Sequence, residues 1–124
     1  MELKRVVVTG MGAITPLGNT VDEYWNNLIA GVSGADMITL FDASKFRTKF
    51  ACEVKGFDAT QYLDRKEARK IDRFTQFALV VSDQAMADAG LNKDNINPDR
   101  VGVVFASGIG GLITFQHEVT DFAR

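Results

Sequence analysis

Cysteine, histidine and tryptophan occur once each in this 124-residue chain, and proline only twice. A single thiol, Cys52, excludes an internal disulfide and fits a reducing compartment. One cysteine and one histidine fall short of the three or four ligands of a usual zinc site, so no metal is expected. Charge of one sign is also lacking. Fourteen Lys and Arg stand against 16 Asp and Glu, a net charge of −2, and no global field draws the chain to nucleic acid or an anionic membrane. No apolar run approaches membrane-spanning length. The run that follows Lys4 and Arg5 stops at Thr9 and Gly10, too short for a signal-peptide core. A cytoplasmic location is the expectation. Hydrophobic residues make up 46% and charged residues 24% of the chain, ordinary for one globular domain or part of a larger one. Internal repeats, low-complexity tracts and Pro/Ser-rich linkers are absent as well.

What the chain does have is two valine-rich segments, each running into a glycine loop. The first is Val6-Val7-Val8-Thr9-Gly10-Met11-Gly12, followed by Pro16-Leu17-Gly18. The second is Val101-Gly102-Val103-Val104-Phe105-Ala106, followed by Ser107-Gly108-Ile109-Gly110-Gly111. Continuous apolar runs of this kind predict strands buried on both faces, as in parallel α/β sheets. Glycines at a strand's end let backbone approach a ligand or another chain segment where a Cβ would clash.

Between these segments the pattern is helical. Thr20 and Glu23 form a capping-box pattern, and Gly31 suits a helix end, so a helix is expected over residues 21–30. Residues 31–49 look like a long surface connection, 49–54 an extended segment, and 58–62 a short helical turn. Asp64 and Glu67 repeat the cap pattern before a basic stretch. From Asp72 to Gly90 the apolar residues Phe74, Phe77, Ala78, Val81 and Ala85 share one helix face. A last helix opens after Gly111, with Leu112, Phe115, Val119 and Phe122 on one side and no stop signal before the terminus.

A strand followed by glycines invites a nucleotide-binding reading, and the spacing rejects it. The third position of the dinucleotide fingerprint falls on Thr15 after Gly10 and Gly12, and on Ile113 after Gly108 and Gly110. No Gly-Lys-Ser/Thr follows either loop, which removes the phosphate loop of nucleotide hydrolases. No cofactor is therefore expected. Tight turns with close backbone packing account for both glycine clusters.

Two residues invite a catalytic reading. Cys52 lies between Ala51 and Glu53, next to an anion and away from a glycine turn, the opposite of what lowers a thiol's pKa. A small half-buried residue is expected there. His117 falls off the apolar side of the last helix and is expected to be solvated. Lys66, Arg69 and Lys70 fall at i, i+3 and i+4, which predicts a shared basic helix face that Arg65 and Arg73 widen.

Taken in order, these segments resemble the β-ketoacyl-acyl carrier protein synthases, most nearly the type II elongating enzymes of bacterial fatty-acid synthesis. The likeness rests on Arg5-Val6-Val7-Val8-Thr9-Gly10-Met11-Gly12, Pro16-Leu17-Gly18-Asn19-Thr20-Val21, Trp25, Phe41-Asp42 and Thr48-Lys49-Phe50-Ala51. It continues through Arg65-Lys66-Glu67-Ala68-Arg69-Lys70-Ile71-Asp72 and Ser107-Gly108-Ile109-Gly110-Gly111-Leu112. Each segment alone is weakly specific; the ordered series, which covers the whole chain, is strongly so.

The resemblance implies an α/β fold of the thiolase-like kind, layered αβαβα, with residues 1–124 forming the N-terminal part of the ketosynthase domain and much of its first βα half. It implies a cytoplasmic homodimer that lengthens acyl chains by decarboxylative Claisen condensation with malonyl-acyl carrier protein, without a cofactor. The nucleophilic cysteine and the two histidines of that chemistry would lie beyond Arg124, so no catalytic residue is expected here. Lys66, Arg69 and Lys70 would meet the acidic helix of acyl carrier protein, and Gly108 and Ile109 would border the acyl pocket, Ile109 as its gate. A non-catalytic ketosynthase-like partner, such as a chain-length factor or scaffold, is the alternative. A free-standing acyl-binding domain is disfavoured, because its parallel sheet would keep open edges and an uncovered face. The last helix runs on without a stop signal, so the chain is expected to end within an element.

Overall fold

Local signals decide where the helices of this chain form. The computed structural model describes residues 3–124. Helix α1 spans Val21–Ile29. The Glu23 amide donates to the Thr20 hydroxyl at 3.2 Å, and the Asn19 amide donates to the Glu23 carboxylate at 2.8 Å. Glu23 thus reaches one residue further back than in the usual capping box. At the other end Gly31 takes φ +70°. Its amide donates to the Leu28 carbonyl at 3.1 Å, and the Val32 amide to that of Asn27 at 3.0 Å, the pair of bonds that closes a helix through a left-handed residue.

The stretch expected to be surface connection contains half of a small ribbon. Strand β1 (Asp36–Met37) pairs antiparallel with β2 (Phe50–Ala51). Beside it the Glu53 carboxylate accepts the Thr39 hydroxyl at 2.7 Å and the Thr39 amide at 3.1 Å. Lys55 pairs with Asp36 at 2.7 Å, both side chains being exposed, an arrangement worth little by itself. The expected turn near residue 60 is the 3₁₀ helix Ala59–Gln61, capped by Asp58.

Helix α2 is one turn, Arg65–Ala68, with the Asp64 carboxylate accepting from the Lys66 and Glu67 amides. Asp72 is extended and ends that helical run, and α3 follows over Arg73–Asp88. The Ala68 carbonyl left at the end of α2 accepts the Gln76 side-chain amide at 2.7 Å, which satisfies one orphan group of that helix. Helix α3 closes as α1 does, with Gly90 at φ +65°. A polar connection then leads through the 3₁₀ turn Pro98–Arg100. Helix α4 spans Leu112–Phe122 after Gly111 at φ +74°.

Neither valine segment joins a sheet. The ribbon is the only ladder among the described residues, and Val6, Val8 and Val104 are 89%, 82% and 96% exposed. A parallel strand needs hydrogen-bonding neighbours and helices over both faces, and neither segment finds them in this chain.

Burial is sparse for the same reason. Among the described residues the buried apolar ones are Ala43, Ala59, Ala68 and Val80, of which only Val80, at 1% exposure, is fully enclosed. Val80 lies outside the apolar face read for α3; Phe77, Ala78, Val81 and Ala85 are half-buried and Phe74 is exposed. Arg73 leaves the basic patch assigned to it. Its guanidinium lies 5.0 Å from the Phe77 ring centre and 5.5 Å from that of Phe57. The two rings meet edge to face at 4.8 Å.

Candidate functional site

The two glycine loops meet α3 at its opposite ends, and they differ in how tightly they are held. At the first, Gly10 and Gly12 lie against the helix backbone. A Cβ at Gly10 would stand 2.6 Å from the Ala89 nitrogen, and one at Gly12 would stand 2.9 Å from the Gln84 Cβ and closer still to the Val81 carbonyl. Only glycine permits that approach. Side chains of α3 fasten the loop as well. The Met11 amide donates to Asp88 at 2.9 Å, and the Ala13 amide to the Gln84 side-chain carbonyl at 2.9 Å. The Gln84 side-chain amide in turn donates to the Asn19 carbonyl at 2.9 Å. What approaches the first loop is therefore α3 itself, which agrees with the expected close backbone packing.

The second loop is fixed only on its C-terminal side. A Cβ at Gly110 would lie 2.7 Å from the Phe74 ring, and one at Gly111 would lie 3.4 Å from an Asp72 carboxylate oxygen. Gly108, by contrast, has nothing within 4 Å of a Cβ position. Ile109 is 75% exposed, and it borders a shallow groove of about 200 Å³ shared with Asp72, Phe74 and Leu112.

The basic residues occupy a different surface. Lys66 lies in α2, Arg69 caps that helix, and Lys70 follows it, so the single long helix face inferred from their spacing is not present. The Lys70 amide still donates to the Glu67 carbonyl at 2.9 Å, a tight turn at the end of α2. All three are exposed. Among the described residues the ion pairs are Lys55 with Asp36 and Arg124 with Asp121, which leaves Lys66, Arg69 and Lys70 unpaired.

Cys52 is exposed, not half-buried as expected; it directly follows the two-residue strand β2, where little covers it. His117 is exposed on α4 as expected, but so are Leu112, Phe115, Val119 and Phe122, so the apolar face read for this helix is not covered. His117 edges an open apolar groove of about 750 Å³ with Phe41, Phe46 and Ile113. Asp72, Phe74 and Thr114 escaped the sequence analysis as members of a site. Asp72 was legible only as a helix start, and nothing local signals its bond to a hydroxyl 42 residues away.

The family model for the N-terminal domain of β-ketoacyl synthases matches residues 3–122. A 3-oxoacyl-[acyl-carrier-protein] synthase 2 of Synechocystis sp. is 52% identical over 120 residues, covering 97% of this chain and 29% of that protein. Among solved structures, a β-ketoacyl synthase from Burkholderia phymatum superposes with a TM-score of 0.71 at 31% identity, over 95% of this chain and 30% of its own. Another match is a complex described as a type II PKS acyl-carrier protein with its ketosynthase bound to the hexaketide. Its TM-score is 0.58 at 34% identity, over 81% of this chain and 25% of that one. The chain thus spans less than a third of the length of the relative from Synechocystis, and its helices and short ribbon are a part of the ketosynthase α/β fold. By the extent and identity of these matches, the chain belongs to the β-ketoacyl synthase family, in the region of its N-terminal domain.

Proposed function

We propose that residues 1–124 are the N-terminal part of the ketosynthase domain of a 3-oxoacyl-[acyl-carrier-protein] synthase II, a cytoplasmic homodimeric acyltransferase of fatty-acid elongation. The observation that carries this reading is the 52% identity over 97% of the chain to a protein of that name. In the complete protein an acyl group passes from its carrier thiol to an enzyme cysteine. Malonyl-carrier protein loses carbon dioxide, and the resulting carbanion attacks the acyl thioester. The new carbon–carbon bond forms as the cysteine thiolate leaves. On this reading the cysteine and the assisting histidines belong outside this segment; Cys52 is exposed beside Glu53, and His117 is exposed on α4.

Within the segment, Lys66, Arg69 and Lys70 are the docking cations for the acidic surface of the carrier protein. Their exposure and lack of ion pairs leave them available for the encounter, where complementary charge raises association rates on the order of 10- to 1,000-fold. Gly108 and Ile109 border the acyl pocket, with Ile109 as the gate. The open space at Gly108 and the exposure of Ile109 support that assignment.

The test uses the complete protein with malonyl- and acyl-carrier protein. We expect β-ketoacyl-carrier product from the parent. The triple variant K66E/R69E/K70E should raise KM for carrier protein at least roughly ten-fold at low salt, leave kcat little changed, and lose much of that difference at high salt. A variant with the parent's KM at low salt would remove the docking role. A complete protein that condenses nothing until a separate ketosynthase is added would instead be the non-catalytic partner.

A further inference from the structure

Asp72 occupies the N-cap position of α3 yet makes no side-chain bond to that helix. Ser, Thr, Asp and Asn at an N-cap ordinarily accept an amide of the first turn, so its carboxylate is committed elsewhere. One oxygen accepts the Thr114 hydroxyl in the first turn of α4. The other lies beside Gly111, whose φ of +74° turns the chain into that helix. A negative charge placed near two helix N-termini is favourable at both. Next to it the Phe74 ring packs under Gly110. The loop is thereby divided. Residues 110–114 are pinned to the start of α3, whereas Gly108 has open space around it and Ile109 projects outward.

We propose that Asp72, through Thr114, is a positioning residue for the Ile109 loop: it fixes the base, so that movement admitting an acyl chain is confined to residues 107–109. This rests on the reading of Ile109 as the gate of the acyl pocket. A gate works by localised backbone rotation about a few residues. With the base released, Ile109 would no longer hold one closed position, and discrimination between short and long acyl chains would weaken.

The experiment compares Thr114→Val, Thr114→Ser, Asp72→Asn and Ile109→Phe in the complete protein. The readouts are the ratio of kcat/KM for long against short acyl-carrier substrates and the hydrogen exchange of residues 107–111. Thr114→Val removes one exposed hydroxyl without changing side-chain shape, so folding should survive. We expect it to shift the ratio several-fold and to speed exchange in the loop. Thr114→Ser, which keeps the donor, should stay near the parent; Asp72→Asn, which keeps an acceptor but loses the charge at the two helix N-termini, should fall between the parent and Thr114→Val. Ile109→Phe should shorten the chains accepted. If Ile109→Phe shortens them while Thr114→Val matches the parent in ratio and exchange, the anchor is refuted and the gate stands. A change in melting temperature alone, with the ratio fixed, makes Asp72 a structural staple and also refutes the proposal. If Ile109→Phe leaves the profile unchanged, the gate falls and the positioning role falls with it.

Discussion

Replacing Gly12 with alanine tests the fastening of the first loop most directly. The added Cβ would lie 2.9 Å from the Gln84 Cβ and against the Val81 carbonyl. The neighbour is helix backbone, which cannot rotate away, so the loop must retreat. Clearing the Val81 carbonyl oxygen, the nearer of the two, requires a shift of roughly 1 Å. That shift takes the Ala13–Gln84 bond from 2.9 Å past the limit of a useful hydrogen bond. Losing one part-buried bond costs about 1 kcal/mol, and overpacking adds about 1–3 kcal/mol. The expected loss for Gly12→Ala is therefore about 2–4 kcal/mol. Gly108→Ala is the matched control. Nothing in this chain lies within 4 Å of its Cβ position and its φ is not left-handed, so the change should cost less than Gly12→Ala. The assay is urea unfolding of the complete protein carrying each substitution. If Gly12→Ala shifts the midpoint no more than Gly108→Ala does, the first loop does not depend on close approach to α3.

Two further outcomes follow from other parts of the chain. Residues 1–124 expressed alone should be insoluble or molten, binding hydrophobic dye without a cooperative melt, because among the described residues only Val80 is fully enclosed; a sharp melt from a soluble monomer would contradict this. The Glu53 carboxyl is held below its ordinary value of 4.5, chiefly by the Thr39 hydroxyl and with help from the Thr39 and Leu40 amides. A lowered folded pKa gives stabilisation that is present above 4.5 and lost as pH falls through the folded value. Local exchange around Thr39 should therefore rise in acid beyond its intrinsic trend, and Glu53→Gln should abolish that excess; equal behaviour of parent and variant would refute the clasp.

Features governed by neighbours in sequence were legible before the structure. Thr20 and Asp64 cap the elements they precede, and Gly31 and Gly90 end α1 and α3, because caps act within one turn. The valine segments were read correctly for composition but do not pair, since a ladder depends on partners that no local pattern supplies. The spacing of Lys66, Arg69 and Lys70 implied a longer helix than exists. Asp72 is extended and restarts the chain as the head of α3, while Gln76 takes the carbonyl left at Ala68. Arg73 counted as a surface cation until the rings of Phe57 and Phe77 claimed it. The contact of Asp72 with Thr114 lay beyond the reach of any periodicity.

The bonds from Met11 to Asp88 and from Ala13 to Gln84 span 77 and 71 positions, which sets a timetable during synthesis. At ~5–20 residues per second, roughly 4–15 s separate the appearance of the loop from that of its partner helix. Throughout that interval the loop that Val6, Val7 and Val8 lead into has no α3 to fasten it, and the three valines are exposed in any case. Lys4 and Arg5 immediately precede them, where charge discourages strand-to-strand association between nascent chains. The basic pair that precedes the valines thus guards them while the loop they lead into still waits for the helix that fastens it.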